Sequence, residues 1–187
     1  MKPKPKLLIV TGLPASGKTW IASEISKALD VPLFTKDQIK IELLESLGKK
    51  DRNWDRQLGM AAVRLQVRLA ENLLIRNCSV ILESNFKNEF DGPLLKDLLE
   101  KTASECMQIV CGAEAGVLIE RFSRREGSAE RSPLQFATNI DEWKPKLKKG
   151  FDEPLQLPGK AIPVDTTDFS RVDMPFILRT IEEFLTS

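Results

Sequence analysis

The chain has 187 residues, 42% of them hydrophobic and 29% charged, the balance of a soluble globular protein with one sizeable core. A net charge of +1 offers no general attraction to nucleic acid or membrane, so either contact would need a local patch. The chain has no histidine, which excludes Ser-His-Asp triads, Cys-His pairs, H-E-x-x-H zinc sites and any imidazole base. A carboxylate is left as the natural proton acceptor.

The stretch Met1-Lys2-Pro3-Lys4-Pro5-Lys6 lacks the apolar centre of a signal peptide and reads as a solvated tail. No apolar run approaches the roughly 18 residues that span a bilayer. Cys78, Cys106 and Cys111 have no metal-ligand or C-x-x-C spacing and are expected to be small apolar fillers of a reduced, cytoplasmic protein.

In chain order, the pattern predicts a strand at about 6–11, then a helix over 18–29 carrying Ile21, Ile25, Ala28 and Leu29. Val31-Pro32-Leu33-Phe34 predicts a second strand. A helix follows from Asp37 to Leu47, with Ile39, Leu43 and Leu47 on one face and Gly48 as its stop. A long helix over roughly 54–76 sets Leu58, Ala62, Leu65, Leu69 and Leu73 in register. Ser79-Val80-Ile81-Leu82 is a continuous apolar run, as in a strand covered on both faces. Then come a helix at 93–102, a strand at 107–111, helices at 114–126 and 133–147, a strand at 161–165 and a closing helix at 173–186. The alternation predicts a single α/β domain over 1–187, with a parallel sheet covered on both faces. Ligands of such sheets sit beyond the carboxyl ends of the strands.

The first of those ends carries the strongest signal. Gly12-Leu13-Pro14-Ala15-Ser16-Gly17-Lys18-Thr19 follows Leu7-Leu8-Ile9-Val10 directly and spells G-x-x-x-x-G-K-[ST], a phosphate-binding loop. Gly12 and Gly17 allow backbone angles that let successive N–H groups turn inward around an anion. The following helix aims its positive dipole end at the same point. Lys18 supplies an ammonium for the β- and γ-phosphates, and the Thr19 hydroxyl a ligand for Mg²⁺. Gly12, Pro14, Ala15, Ser16, Gly17, Lys18, Thr19 and the adjoining Trp20 are the expected nucleotide-binding residues, with ATP and Mg²⁺ as the cofactors.

The other strand ends leave alternatives open. Asp37 either caps the helix that follows or serves as a base near the γ-phosphate, and the roles are compatible. Glu83, in Glu83-Ser84-Asn85-Phe86, either holds Mg²⁺ or belongs to a turn-capping cluster. Arg121 and Arg125 lie one turn apart on a helical face and are read as phosphate clamps, the alternative being a solvated basic face. Glu120 lies four residues before Arg124, which suits a surface pair. Arg131 has weaker support as part of the same lid. Asp165 either caps the last helix or contacts the nucleotide base. Lys144, Lys146, Lys148 and Lys149 form either a solvated face or a patch for a polyanion.

In these motifs, and in their order, the chain resembles the P-loop kinases grouped with polynucleotide 5′-kinases, zeta toxins, chloramphenicol phosphotransferase and gluconate kinase-like enzymes. The match rests on the phosphate loop, Lys36-Asp37, Val80-Ile81-Leu82-Glu83-Ser84-Asn85 and Arg121-x-x-x-Arg125. The resemblance implies a three-layer sandwich around a five-stranded parallel sheet of order 2-3-1-4-5, and an arginine lid at about 114–150. It also implies γ-phosphoryl transfer from ATP to a hydroxyl, with Asp37 as the catalytic carboxylate beside Lys18, Arg121 and Arg125. Glu83 stands where Asp is more common, and Asp165-Thr166-Thr167 matches the loop near the adenine.

The Asp-x-x-Gly of GTPases occurs nowhere in the chain. The expected function is therefore phosphorylation of a small molecule or nucleotide by ATP. A polynucleotide 5′-hydroxyl kinase and a non-catalytic ATP-binding or ATPase module are the alternatives, and nucleic acid is the weaker candidate partner. The least patterned stretch, 38–68, with Trp54, Arg56, Arg64 and Arg68, is the expected acceptor region.

Overall fold

A computed structural model of the protein describes residues 4–126 and 139–187. Its strands are Lys6–Gly12 (β1), Leu33–Thr35 (β2), Val80–Glu83 (β3), Glu105–Gly112 (β4) and Lys160–Asp165 (β5). They form one parallel sheet in the order β2-β3-β1-β4-β5. The order implied by the resemblance holds. Burial explains which strands are central: every residue of β1 and β3 is buried, whereas β5 alternates as an edge strand does. Pro163, which has no N–H to give, sits on that edge.

The helices are Lys18–Leu29 (α1), Lys36–Leu47 (α2), Arg52–Leu74 (α3), Gly92–Thr102 (α4), Ala115–Glu126 (α5), Ile140–Leu147 (α6) and Met174–Thr186 (α7). Alternation along β1 sorts them into two layers. Leu7 and Ile9 pack with Val63, Val67 and Ala70 of α3 and Leu95 and Leu98 of α4. Leu8 and Val10 face the other way, onto Ile21 and Ile25 of α1 and Ile177 and Ile181 of α7. A third, smaller core lies beneath α5 and α6, where Leu118, Phe122 and Leu147 join Leu13 of the phosphate loop and Ala113. The base of this expected lid is closed by Ala113 N–H donating to Gly150 O at 3.2 Å. Among the described residues no helix is long and apolar enough to cross a membrane.

Several elements differ from expectation. The second strand begins at Leu33, because Val31 and Pro32 precede the paired residues. Residues 133–138 of the expected lid helix lie outside the described residues, as does Arg131. A short 3₁₀ turn at Phe169–Arg171 precedes α7. In α2 only Leu44 is fully buried, and Leu47 is exposed. The buried stripe of α3 is rotated from the leucine register. It consists of Leu58, Ala62, Val63, Gln66, Val67, Ala70 and Leu74, while Leu65 and Leu69 are 43% and 40% exposed. The small side chains of Ala62 and Ala70 face the core here, and so does the amide of Gln66.

Gln66 has no solvent exposure, and its Nε2 donates to Phe34 O at 2.7 Å and to Glu83 O at 2.9 Å. One side chain thus satisfies carbonyls at the carboxyl ends of β2 and β3. Both carbonyls lose their donor in Gln66→Ala. That substitution should lower unfolding stability by about 2–4 kcal/mol, from stranded acceptors plus a cavity. Exposed Arg64→Ala should stay within about 0.5 kcal/mol. Urea midpoints will compare the two, and equal values would remove the clamp from Gln66.

Candidate active site

The phosphate loop leaves β1 at Gly12 (φ 149°), turns through Ala15 (φ 64°) and enters α1 at Gly17 (φ 74°). A Cβ on Gly12 would collide with the carbonyl of Cys111, so the close approach of loop and β4 admits only glycine there. Gly17 caps α1 without a side-chain bond, which leaves the first helical N–H groups for an external anion. Lys18 Nζ is buried within the loop's reach, 3.4 Å from Leu13 O and 3.9 Å from Glu83 Oε1.

Thr19 Oγ1 donates to Glu83 Oε2 at 3.2 Å. This hydroxyl and carboxylate are the hard oxygen donors that Mg²⁺ takes beside substrate phosphates, so the residues present fit that ion. Glu83 is no turn cap: its side chain points into the loop. Burial pushes its carboxyl above the ordinary range against the pull of Lys18, and the nearby charge of Asp37 adds to the rise.

The cap of α2 is Thr35, whose hydroxyl accepts from Gln38 N–H at 3.4 Å, which frees Asp37 from the capping role. Asp37 is 64% exposed and 3.8 Å from Lys36 Nζ. Desolvation would raise its pKa, but the fields of Lys36, Lys18, Arg125 and Lys40 together hold it below its usual value. The two carboxylates at the ends of β2 and β3 are thus driven in opposite directions.

A cavity of about 540 Å³ opens over the loop, lined by Ala15, Gly17, Lys18, Thr19, Arg121, Arg124, Arg125 and Phe169. Four of the eight are cationic, the complement of a polyphosphate. Arg121 is partly committed to structure. Its Nη2 donates to Thr166 O at 2.9 Å and Thr167 O at 3.1 Å, and its guanidinium lies 4.4 Å from the Phe169 ring centroid. Nη1 is buried without a hydrogen-bond partner among the described residues. Arg124 is 71% exposed and only 3.9 Å from Glu120, a weak surface pair, yet it shares the cavity with Arg121 and Arg125. The expected pair with Glu120 is present, and Arg124 lines the cavity as well.

Other expected residues fall differently. Asp165 neither caps the last helix nor lines this cavity. Its Oδ1 accepts from Thr167 N–H at 2.8 Å in a local turn, and Asp173 caps α7 instead. Trp20 sits edge-on to Phe169 with ring centroids 5.0 Å apart. Phe169 itself, packed where a Gly17 side chain would be, was not singled out from sequence. Only its place between a helix-capping Asp168 and the closing helix could have drawn attention to it. Gln66 was missed for the same reason: a lone amide within a helical apolar stripe carries no motif.

Trp54 donates from Nε1 to Gly48 O at 3.0 Å, Arg68 pairs with Glu71 at 2.8 Å, and Arg56 and Arg64 are exposed. None of these four lines a cavity described here. Pro14 and Leu13 instead line a second cavity, of about 310 Å³, with the loop after β3 and α6. Lys146 and Lys149 open into it too, so half of the lysine run is not a plain solvated face. Cys106 and Cys111 are buried and their thiols pushed up to about 12 by desolvation, which makes them inert fillers. Cys78 is exposed and is no filler.

A sheet of this order, with a phosphate loop after its first strand and arginines on a helix above it, defines a P-loop kinase fold. Residues 6–147 match the family described as chromatin associated protein KTI12, and the chain belongs to that family. No curated protein matches it. Among solved structures, a protein of Chloroflexus aurantiacus, described provisionally as a kinase, is 32% identical with a TM-score of 0.88, covering 100% of this chain and 98% of that one. An unliganded sugar kinase from Janibacter sp. is 17% identical, with a TM-score of 0.55 and coverage of 98% and 94%. The Mycobacterium tuberculosis APS kinase CysC, in complex with AMPPNP and APS, is 15% identical, with a TM-score of 0.59 and 99% coverage of both chains. At these identities the last two show the fold alone.

The different commitments of the arginines predict different losses. Arg121→Ala removes the donor to two carbonyls of the loop after β5 and should cost about 1–3 kcal/mol of stability without any ligand. Arg124→Ala should cost less than about 0.5 kcal/mol. Ligand-free thermal melts of both variants test this, and an unshifted Arg121→Ala would mean that the loop does not depend on it.

Proposed function

We propose that this protein is an ATP-dependent phosphotransferase that moves the γ-phosphoryl group to a hydroxyl of a small molecule or nucleotide. The observation that carries the reading is the position of Asp37. It is an ionised carboxylate free of capping duty, held in the combined field of Lys18 of the loop and Arg125 of the lid. A protein that only binds or releases nucleotide has no use for such a group.

The roles follow from the geometry. Loop N–H groups and Lys18 take the β- and γ-phosphates, and Arg125 and Arg124 face the same cavity. Thr19 and Glu83 would hold Mg²⁺, which when bound would supply positive charge beside the phosphate oxygens. Asp37 accepts a hydrogen bond from the acceptor hydroxyl and orients it. Because its pKa is lowered, Asp37 is a weak base in the ground state, and it takes the proton only as the new P–O bond makes that proton acidic. The hydroxyl oxygen bonds to the γ-phosphorus, the bond to the β–γ bridging oxygen breaks, and ADP leaves with that electron pair.

Lys18→Ala should lower transfer by about 10²–10³, the usual loss for one preorganised donor. Asp37→Asn should leave ATP affinity near its original value and lower transfer by roughly 10²–10⁴. Calorimetry with ATP and Mg²⁺ separates binding from turnover. An intact protein that does not bind ATP, or an Asp37→Asn enzyme at full rate, would overturn the proposal.

The pH dependence has a definite sign. Asp37, with a lowered pKa, stays charged until the pH falls below the ordinary 3.8. Glu83, with a raised pKa, takes up its proton first as pH falls from neutrality. Any acid loss of kcat/KM above pH 4 should therefore move to lower pH in Asp37→Asn, which removes one of the charges that raise Glu83, and disappear in Glu83→Gln. The reverse pattern in the two pH profiles would exchange their roles.

A further inference from the structure

The second cavity touches the phosphate loop at residues that the first does not. Leu13 and Pro14 wall the smaller space, whereas Ala15, Gly17, Lys18 and Thr19 wall the larger. Its other walls are Asn85 to Glu89 after β3, Trp143 and Lys146 of α6, and the chain beyond α6 with Asp152. Two ammonium groups crowd one indole: Lys146 Nζ lies 5.1 Å and Lys87 Nζ 6.0 Å from the Trp143 ring centroid. Lys149 opens into the same space. Burial lowers the pKa of Lys87, and the charges of Lys146 and Lys36 add to that fall against Asp91 and Asp152. The two ammonium groups beside Trp143 thus feel one another, although Glu89, Asp152 and Glu153 also line the cavity.

Lys36 ties this cavity to Asp37. Its Nζ donates to Asn85 Oδ1 at 3.1 Å and lies 3.8 Å from Asp37 Oδ1. Asp37 in turn feels Lys18 and Arg125, which line the larger cavity. Asp37 lines neither cavity itself, but Lys36 joins it to Asn85 of the smaller one and the charges of the larger one reach it.

We propose that the cavity between Pro14, the 85–89 loop and α6 is the acceptor pocket, and that it takes a small ring compound bearing both a phosphomonoester and free hydroxyls. The inference rests on the kinase reading above and names its substrate class. About 310 Å³ is at the small end of ligand cavities, enough for one such molecule and too little to enclose an oligonucleotide. Lys87, Lys146 and Lys149 offer charge-assisted hydrogen bonds to a dianion. Trp143, whose ring both ammonium groups overlie, adds apolar surface beside a sugar or base ring, and the Asp152 carboxylate accepts from hydroxyls. The transfer is the one written above, with the acceptor's free hydroxyl as nucleophile and its existing phosphate as the handle.

The test is calorimetry on the full chain, with the larger cavity filled by Mg²⁺ and a non-hydrolysable ATP analogue. Two arms distinguish the sources of the phosphate: nucleoside monophosphates against their nucleosides, and hexose and pentose phosphates against the free sugars. In one arm the phosphorylated compound should bind at least about tenfold more tightly than its counterpart, the scale of one charge-assisted hydrogen bond. Lys87→Gln/Lys146→Gln, two changes at exposed positions that leave the core intact, should abolish that advantage while affinity for the ATP analogue stays within about twofold. No discrimination in either arm, or discrimination that survives the double change, overturns the pocket and leaves the kinase reading standing. Failure to bind the ATP analogue overturns the kinase reading, and the pocket assignment falls with it.

Discussion

The hydroxyl of Thr166 holds the phosphate loop against the rest of the sheet. It has no solvent exposure and is shared between Ser16 O at 2.8 Å and Gly112 O at 3.0 Å, while Thr166 N–H also reaches Gly112 O at 2.8 Å. The ends of β4 and β5 are thereby joined to a loop that contains Ala15 at positive φ. Such a backbone costs of order 1 kcal/mol or more and persists only when its surroundings over-determine it. The surroundings here extend outward in sequence. Arg121 grips the carbonyls of Thr166 and Thr167, and its guanidinium stacks on Phe169. Phe169 covers Gly17, and Trp20 abuts its edge. A residue that looks catalytic in sequence is thus half a buttress.

That buttress fixes where the charges stand. Five parallel strands deliver their carboxyl ends to one edge, so Glu83 of β3 and Asp37, just beyond β2, come within range of the same lysine. Gln66 keeps the ends of β2 and β3 together from below. Position then separates the two acids chemically. Glu83 is sealed in the loop, where burial raises its pKa and a bound divalent ion would offset that cost by favouring the carboxylate. Asp37 is open to the cleft and ringed by cations, which suits a group that must stay charged. Environments that push two carboxylates apart mark a division of labour.

The fold and the loop were legible because they are written locally. A strand buried on both faces reads as an unbroken apolar run, and G-x-x-x-x-G-K-[ST] has a conformational reason for each constrained position. The sheet order came from resemblance, since strand pairing over tens of residues leaves no local mark. The errors have a common cause. Leu65 and Leu69 seemed to define the core face of α3 because they are large, yet close packing on the sheet selected Ala62, Ala70 and an amide. A cap was one of two open readings for Asp37 and for Asp165 because Asp often caps, and Thr35 and Asp173 take those positions instead. Trp54 and its neighbouring arginines seemed available for an acceptor because they follow no pattern. The residues around the smaller cavity come from three separate segments, and only the fold brings them together.

The two cavities are served by different helices of one small unit. α5 contributes the arginines of the larger, and α6 contributes Trp143 and Lys146 of the smaller. Phe122 of α5 and Trp143 of α6 meet in a tilted ring contact with centroids 6.4 Å apart, and Leu118, Phe122 and Leu147 share a core with Leu13 of the phosphate loop. Cores packed this closely transmit displacement rather than absorb it. Any displacement of α5 would therefore be felt by α6, which carries Trp143 and Lys146, and by Leu13 of the phosphate loop, because all three share that core.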